Sequence, residues 1–383
     1  MRVAGFTSTG SKRPEALFGS AAEDLPLRMR QSAGCRIWDE QGREYLDCIM
    51  ALGAVGLGYG HPAVNRAVQD AVERGTIGPV APVEEERLAA ELATFLPRLE
   101  QVRFLKSGAE AVAAAVRIAR VATGREYVLG CGYHGWLDWC SGSAGVPEAV
   151  RALYQELPFN DSASAVQLIR ASGDRLACVV LEPVVDAAPS PEWLQVVRSE
   201  TARVGAVLVY DEIKTAFRVG PGGAAERWGG EPDLLVLGKA LANGYPLAAF
   251  GGSAGLMRHV GETWISSTMA TEFVSFAAAL ATLEVIRAEG LSDHLRRVGG
   301  RLLAGLEILA RQFPALITGT AGIPELCYLR FASDAVSQQV ARGCAHHGLL
   351  FKRTAYNFVS LAHDETTVER ALGILGTVLG EVA

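Results

Sequence analysis

Short apolar runs alternate with helical stretches through the middle of the chain. Strands are predicted at 102–105, 127–131, 176–181, 206–210, 234–237 and 247–250. One helix is predicted at 109–122, because Val112, Val116 and Ala119 recur at spacings of four and three before Thr123-Gly124. Strand and helix recurring in this order predict an α/β fold with a mainly parallel sheet flanked by helices. The active site is then expected at the carboxyl ends of the strands.

The pattern changes after residue 271. Long helices are predicted at 272–289 and 294–313, followed by a strand at 326–331 and helices at 334–347 and from 365. An N-terminal segment at 34–47 reads as a hairpin with Gln41-Gly42 in its turn. We therefore expect an N-terminal segment (1–55) that joins the small domain, a large domain (56–265), and a C-terminal small α+β domain (266–383).

Composition narrows the class of partner. The chain has 383 residues, of which 49% are hydrophobic and 20% charged, so it can bury a sizeable core. The formal net charge is only -6 and no block of like charges occurs, which gives no support to nucleic-acid or membrane binding. No apolar signal segment opens the chain, and its seven cysteines are scattered, so we expect a cytoplasmic protein with reduced thiols and a small-molecule partner.

The turn from Lys106 to Glu110 lies where a predicted strand ends and a helix begins. Free N–H groups and the positive end of the helix dipole make such a turn an anion site, and Gly108 and Ala109 let a phosphate approach the backbone. An ordinary turn capped by Ser107 explains the same residues. The glycine-rich segment 53–60 does not have the spacing of a dinucleotide-binding loop, and no metal site is predicted.

An acid and an amine follow two of the predicted strands. Asp211 comes directly after VLVY, and Lys239 follows LLVL by one glycine, so both side chains are expected at the carboxyl edge of the sheet. A buried carboxylate can keep a pyridine nitrogen protonated, and a poorly solvated lysine can condense with an aldehyde. Taken singly, each residue is better explained as part of a structural ion pair or as a surface charge.

A series of motifs along nearly the whole chain resembles one family. They are SGAEA from Ser107, GYHG from Gly132, EPVV from Glu182, YDEIKTAFR from Tyr210, PDLLVLGKALANGYPLAAFGG from Pro232 and SLAH from Ser360. In this order they resemble the class III, fold type I aminotransferases, which depend on pyridoxal 5'-phosphate (PLP), and among them most closely the glutamate-semialdehyde aminomutase-like members. The resemblance implies a large domain with a seven-stranded-type sheet, a smaller α+β domain, and a homodimer with active sites at its interface.

The resemblance also implies roles for individual residues. Lys239 carries the cofactor covalently and transfers protons, and Asp211 holds the pyridinium N–H. Further cofactor-binding positions are implied at Ser107, Gly108 and Ala109 for the phosphate, Tyr133 and Ile213 on the two ring faces, His134 and Glu182 nearby, and Thr268 toward the phosphate of the neighbouring subunit.

The chain departs from the family where substrates are held. Ser360 aligns with an arginine that clamps the α-carboxylate of glutamate, and Ala187 aligns with a gating glutamate. Leu52 and a position near Leu17 align with a tryptophan and an arginine of the aminomutase pocket. The substrate pocket has therefore been rebuilt.

Our interpretation is an aminotransferase that moves an amino group from an amine donor to a ketone or aldehyde acceptor, in a specialised biosynthetic pathway. An aminomutase or racemase is the alternative with the same cofactor, and a noncatalytic scaffold is the alternative from another class. Arg218, Lys352 and Arg353 are candidates to replace the missing arginine, although each fits a structural charge equally well.

Overall fold

The computed structural model of the protein describes residues 2–22, 24–354 and 356–383. Its α-helices are α1 Pro14–Phe18, α2 Met50–Gly53, α3 Pro62–Glu73, α4 Val83–Phe95, α5 Gly108–Thr123, α6 Glu148–Arg151, α7 Ser162–Ser172, α8 Pro191–Val204, α9 Gly223–Trp228, α10 Ala254–Met257, α11 Phe273–Glu289, α12 Leu291–Gln312, α13 Asp334–His346 and α14 Glu365–Val382. Its strands are β1 Met29–Ala33, β2 Arg36–Asp39, β3 Glu44–Asp47, β4 Gln101–Leu105, β5 Tyr127–Cys131, β6 Tyr154–Glu156, β7 Leu176–Leu181, β8 Val207–Asp211, β9 Leu234–Leu237, β10 Ala248–Gly252, β11 Ile317–Ile323, β12 Leu326–Phe331, β13 Leu349–Leu350 and β14 Asn357–Phe358.

The chain forms two compact units. One runs from Pro62 to Gly290, and the other combines the residues up to His61 with Leu291–Ala383. The predicted boundary after 265 lies before helix α11, whereas in the structure α11 belongs to the Pro62–Gly290 unit. The reason is that α11 buries Phe276 and Leu283 and packs on α3 and α4.

A seven-stranded sheet forms the centre of the Pro62–Gly290 unit, in the order β4-β10-β9-β8-β7-β5-β6. Strand β10 runs antiparallel to β4 and β9, and the other pairings are parallel, which confirms the predicted mainly parallel sheet. Every residue of β7, β8 and β9 is buried, as expected for strands covered on both faces. Helix α5 packs on β7, β8, β9 and β10, and α8 packs on β7 and β8.

The second unit contains two small sheets, β1-β2-β3-β13 and β11-β12-β14. The predicted hairpin is confirmed: β2 and β3 pair antiparallel, and the carboxylate of Asp39 accepts the N–H groups of Gln41 and Arg43 at the turn. Strand β11 was not predicted, because its sequence ITGTAGI contains two glycines and little apolar alternation.

All seven cysteines are free thiols, as predicted, and six of them are buried. Across 2–22, 24–354 and 356–383, no helix combines the length and the apolar character that a membrane crossing needs.

Candidate active site

The parallel pairing of β8 with β9 brings Asp211 and Lys239 to the same edge of the sheet. Asp211 is the last residue of β8 and is paired with Val236, and Lys239 follows the end of β9 by one glycine. Lys239 has a φ of 48°, in the left-handed region that a non-glycine residue adopts only at a cost. Strain of this kind at the first residue of the 3₁₀ turn Lys239–Ala242 is typical of a functional position.

Asp211 is buried and only partly satisfied by the protein. Its Oδ2 lies 2.9 Å from Nδ1 of His134, and its Oδ1 accepts the N–H of Ile213 at 3.2 Å. Because a carboxylate only accepts, Nδ1 of His134 carries the proton. Two carboxylate oxygens offer about four acceptor sites, so Asp211 retains capacity for a further charged donor.

His134 reaches Asp211 from a tight loop that follows β5. Its ring is buried and stacks on Trp139 with centroids 6.1 Å apart. Gly132 has a φ of 102°, and a Cβ there would lie 2.5 Å from Oε2 of Glu182. The sequence GYHG therefore requires glycine at its first position.

Glu182 forms a second polar contact between strand ends. Its Oε2 accepts the N–H of Tyr133 at 2.9 Å, and its Oε1 lies 3.0 Å from Nζ of Lys214. Both members of this ion pair are buried, whereas Tyr133 is 71% exposed. Tyr133 is thus anchored through its backbone N–H while most of the residue remains accessible to solvent.

The turn before α5 has the properties of an anion site. Ser107 and Glu110 form a capping box, so the hydroxyl of Ser107 is already engaged with the helix. Within the part of the chain that the structure describes, the N–H groups of Gly108 and Ala109 have no protein acceptor. Ile213 packs directly against Gly108, where a Cβ would lie 2.5 Å from its Cδ1. The turn, the end of β8 and Gly238 of the next strand end are therefore in contact.

Four charged side chains act on Lys239. Burial lowers the pKa of Lys239 to about 8, and the positive charge of Lys214 is the next largest cause. Glu182 and Asp211 raise this pKa, and Arg218 lowers it. Lys239 is the amine of this group with the properties of a nucleophile near neutral pH.

The structure brings together most of the predicted cofactor residues, namely Gly108, Ala109, His134, Glu182, Asp211, Ile213 and Lys239. Thr268 is exposed and is the first residue of the 3₁₀ turn Thr268–Thr271. Lys214 was missed, although its place three residues after Asp211 at a strand end was a signal for it.

Arg218, Lys352 and Arg353 are the candidate replacements for the missing arginine, and each lies in a different environment. Arg218 is 1% exposed, so its guanidinium adds charge near Lys239 without reaching solvent. Arg353 donates to Asp334 and Ser337 in the other unit. Burial lowers the pKa of Lys352, which lies in that same unit.

Ser360, which aligns with the family arginine, belongs to a neutral buried pair. Its Oγ lies 3.0 Å from Nδ1 of His363, and its N–H donates to the same nitrogen. Burial lowers the pKa of His363 to about 4, so this histidine is neutral at pH 7. The pair carries no positive charge in place of the arginine.

Similarity to known proteins extends over almost the whole chain. The family model described as aminotransferase class-III matches residues 18–372. A glutamate-1-semialdehyde 2,1-aminomutase of Thermomicrobium roseum is 34% identical over 416 residues, which cover 99% of this chain and 96% of that protein. One of Pyrobaculum calidifontis is 33% identical over 393 residues, which cover 93% of this chain and 89% of that protein.

Solved structures agree with the predicted architecture. The FumI protein of a Sphingopyxis species, in its PLP internal aldimine form, has a TM-score of 0.91 at 26% identity and covers 98% of this chain and 92% of its own. A β-phenylalanine aminotransferase from Variovorax paradoxus has a TM-score of 0.85 at 27% identity, with 94% and 90% covered. The predicted fold type I architecture is confirmed.

Proposed function

We propose, from the premise that this chain belongs to the class-III aminotransferase family, that it moves an amino group from an amine donor to a ketone or aldehyde acceptor. It is a PLP-dependent enzyme of this class. The observation that carries the proposal is the buried carboxylate of Asp211 at the same sheet edge as Lys239, whose pKa is lowered to about 8.

The residues present fit PLP on three counts. The N–H groups of Gly108 and Ala109 open a helix of 16 residues and suit the phosphate. Asp211 has acceptor capacity left for a protonated ring nitrogen. Lys239 supplies the amine for covalent attachment.

Each of these residues has a distinct task in amino transfer. PLP, when bound, supplies a ring that withdraws electrons from the substrate carbon. Asp211 would keep the ring nitrogen protonated, and the hydrogen bond from His134 orients that carboxylate. Lys239 would carry a proton from the substrate carbon to carbon C4' of the cofactor in one half-reaction, and it would make the reverse transfer in the other.

Borohydride reduction followed by peptide mapping tests the assignment of Lys239. We expect a pyridoxyl group on Lys239 in the wild type and in Lys214→Ala, the matched control at the neighbouring lysine. Lys239→Ala is expected to carry none. A label on another lysine, or none in protein reconstituted with PLP, would overturn the assignment.

The acceptor class follows from the missing positive charge. A bidentate arginine is the usual partner of a substrate carboxylate, and the aligned Ser360 is paired with a neutral His363. We therefore propose a neutral or distally charged ketone or aldehyde as the acceptor, in a biosynthetic reaction. In single turnovers of the amine-loaded enzyme, faster discharge by 2-oxoglutarate and pyruvate than by every ketose, cyclitol ketone and ω-aldehyde would contradict this.

An aminomutase is the second candidate, and the relatives named glutamate-1-semialdehyde 2,1-aminomutase favour it. The replacement of two pocket residues by Leu52 and a residue near Leu17 speaks for a different substrate. Glutamate 1-semialdehyde as sole substrate separates the candidates. Isomerisation without a second amine or carbonyl supports the mutase, and amino transfer that needs both a donor and an acceptor supports the transaminase.

We also propose a homodimer with active sites at its interface. Thr268 is exposed, and the sequence around it contains two exposed apolar residues, Trp264 and Met269, of the kind that a second copy would cover. If PLP binding is linked to dimer assembly, Thr268→Ala should weaken PLP retention, and PLP should strengthen the association of the two subunits. Light scattering with bound-PLP absorbance is the measurement, and a monomer that holds PLP and turns over would overturn this proposal.

A further inference from the structure

A second buried lysine acts electrostatically on Lys239 and is held in place by an ion pair. Nζ of Lys214 lies 3.0 Å from Oε1 of Glu182, and the two side chains are 8% and 6% exposed. The other oxygen of Glu182 accepts the N–H of Tyr133. The ammonium group of Lys214 is therefore held at a defined point by a carboxylate that is itself anchored to the backbone.

Strand pairing carries Lys214 toward Lys239. Asp211 pairs with Val236, and Ile213 lies within 3.5 Å of the position that a Cβ on Gly238 would take. Lys214 directly follows Ile213 in the sequence, and Lys239 directly follows Gly238. The charges that act on Lys239 are those of Lys214 and Arg218, which lower its pKa, and those of Glu182 and Asp211, which raise it.

Stability is a poor explanation for the Lys214–Glu182 pair. Removing two charges from water costs several kcal/mol per ion, and a buried pair seldom recovers more than this cost. An ammonium group next to a second amine has a different effect, because it disfavours protonation of that amine. The pair therefore fits an electrostatic role better than a structural one.

We propose that Lys214, held by Glu182, is a positioning residue whose positive charge increases the neutral fraction of the Lys239 amine, which is the form that attacks the cofactor aldehyde. This inference rests on the proposed function. In the attachment step the neutral nitrogen of Lys239 adds to the aldehyde carbon, two protons leave the nitrogen for the carbonyl oxygen, and water departs. No oxidant or reductant is needed.

The size of the effect follows from the fraction of neutral amine. At pH 7.5, about 0.1% of a lysine with the ordinary pKa of 10.5 is neutral, whereas at a pKa of about 8 the fraction is about a quarter. A like charge close by accounts for about one pH unit of such a change. Loss of the Lys214 charge should therefore slow attachment at neutral pH by about tenfold and leave it unchanged well above the pKa.

Competitive labelling of the full-length, PLP-stripped protein with trace acetic anhydride, across pH 6 to 11, measures the pKa of Lys239 by mass spectrometry. Lys214→Met is expected to raise this pKa by about one unit, and Lys214→Arg is expected to leave it in place. The double variant Lys214→Met/Glu182→Gln leaves no unpaired buried charge, so it guards against misfolding. It should raise the pKa by a smaller amount, because Glu182 acts in the opposite direction.

Arg170→Met provides a matched control, since it removes a cation from the Arg170–Glu200 pair between helices α7 and α8. A Lys239 pKa that is unmoved in both Lys214→Met variants would overturn the inference, and so would an equal rise in Lys214→Arg. The rate of PLP attachment followed by absorbance should show the same shift in pH. Borohydride mapping distinguishes failure of the proposed function from failure of this inference. A label on a residue other than Lys239 contradicts the proposed function, whereas a label on Lys239 with an unmoved Lys239 pKa contradicts only this inference.

Discussion

Glu212 holds the loop that follows Asp211, and its ionisation should make stability depend on pH. Its side chain is fully buried. It accepts the N–H groups of Ala224 and Ala225 at 2.9 and 2.8 Å and the hydroxyl of Thr215. Burial raises the pKa of this carboxyl to about 7 in spite of these donors. The folded protein therefore binds a proton at Glu212 more tightly than the unfolded chain does.

The sign and size of the effect follow by linkage. Between the unfolded pKa near 4.5 and the folded pKa near 7, the unfolded chain has lost the proton that the folded chain retains. Stability from this group is thus greatest below pH 4.5 and decreases as the pH rises through 7. At 1.36 kcal/mol per pH unit, raising the pH across the interval between these two pKa values lowers the free energy of unfolding by about 3 kcal/mol.

Urea unfolding of the wild type and of Glu212→Gln from pH 4 to pH 8 measures this contribution. The difference in free energy of unfolding isolates Glu212, because the other groups titrate alike in both proteins. We expect the wild type to lose about 3 kcal/mol relative to the variant across this range. Arg170 and other neighbours hold the pKa of Glu200 near 2, so Glu200→Gln should show no such change between pH 5 and 8 and is the control. A flat difference for Glu212→Gln would refute the reasoning.

Two further substitutions test the geometry around Asp211. His134→Gln removes the imidazole N–H that donates to Asp211. The Kd for PLP, measured by absorbance titration, should therefore rise about tenfold or more. A rise in this Kd of less than about twofold would contradict the positioning role of His134. Gly135→Ala combines a φ of 107° with a new Cβ only 2.5 Å from the Cβ of Ala109. It should therefore lower the Tm more than the control Gly124→Ala, where the φ is 67° and no atom lies within 4 Å of the new Cβ. Equal losses of Tm would show that the contact with Ala109 relaxes without cost.

The large sheet was readable from the sequence because its central strands are uninterrupted apolar runs. Strands β7, β8 and β9 coincide with the predicted runs to within a residue, since burial on both faces removes polar positions. Strand β11 lacked that signal, because glycine contributes no side chain to a pattern. The unit to which α11 belongs depends on which helices pack against its apolar surface. The periodicity of residues within α11 does not reveal those packing partners.

Part of the site was also readable, for a topological reason. Parallel strands end at one edge, so Asp211 and Lys239 were expected to meet although 28 positions separate them. The same rule places Glu182 after β7 and Lys214 after β8, but side-chain pairing across neighbouring strand ends depends on rotamers that spacing does not reveal. Lys214 lies within the motif YDEIKTAFR, but the resemblance implied roles in that motif only for Asp211 and Ile213.

The charges around Lys239 are best understood as a balanced set. Two cations, Lys214 and Arg218, and two anions, Glu182 and Asp211, act on this amine. Removing any one of them leaves a net charge in a poorly solvated place, so a single substitution measures that penalty together with the role of the residue. Replacing an anion and a cation together avoids the penalty. A rise in the Lys239 pKa that remains in Lys214→Met/Glu182→Gln therefore reports that the charge of Lys214 outweighs that of Glu182, whereas a rise confined to Lys214→Met reports two opposing charges of equal effect.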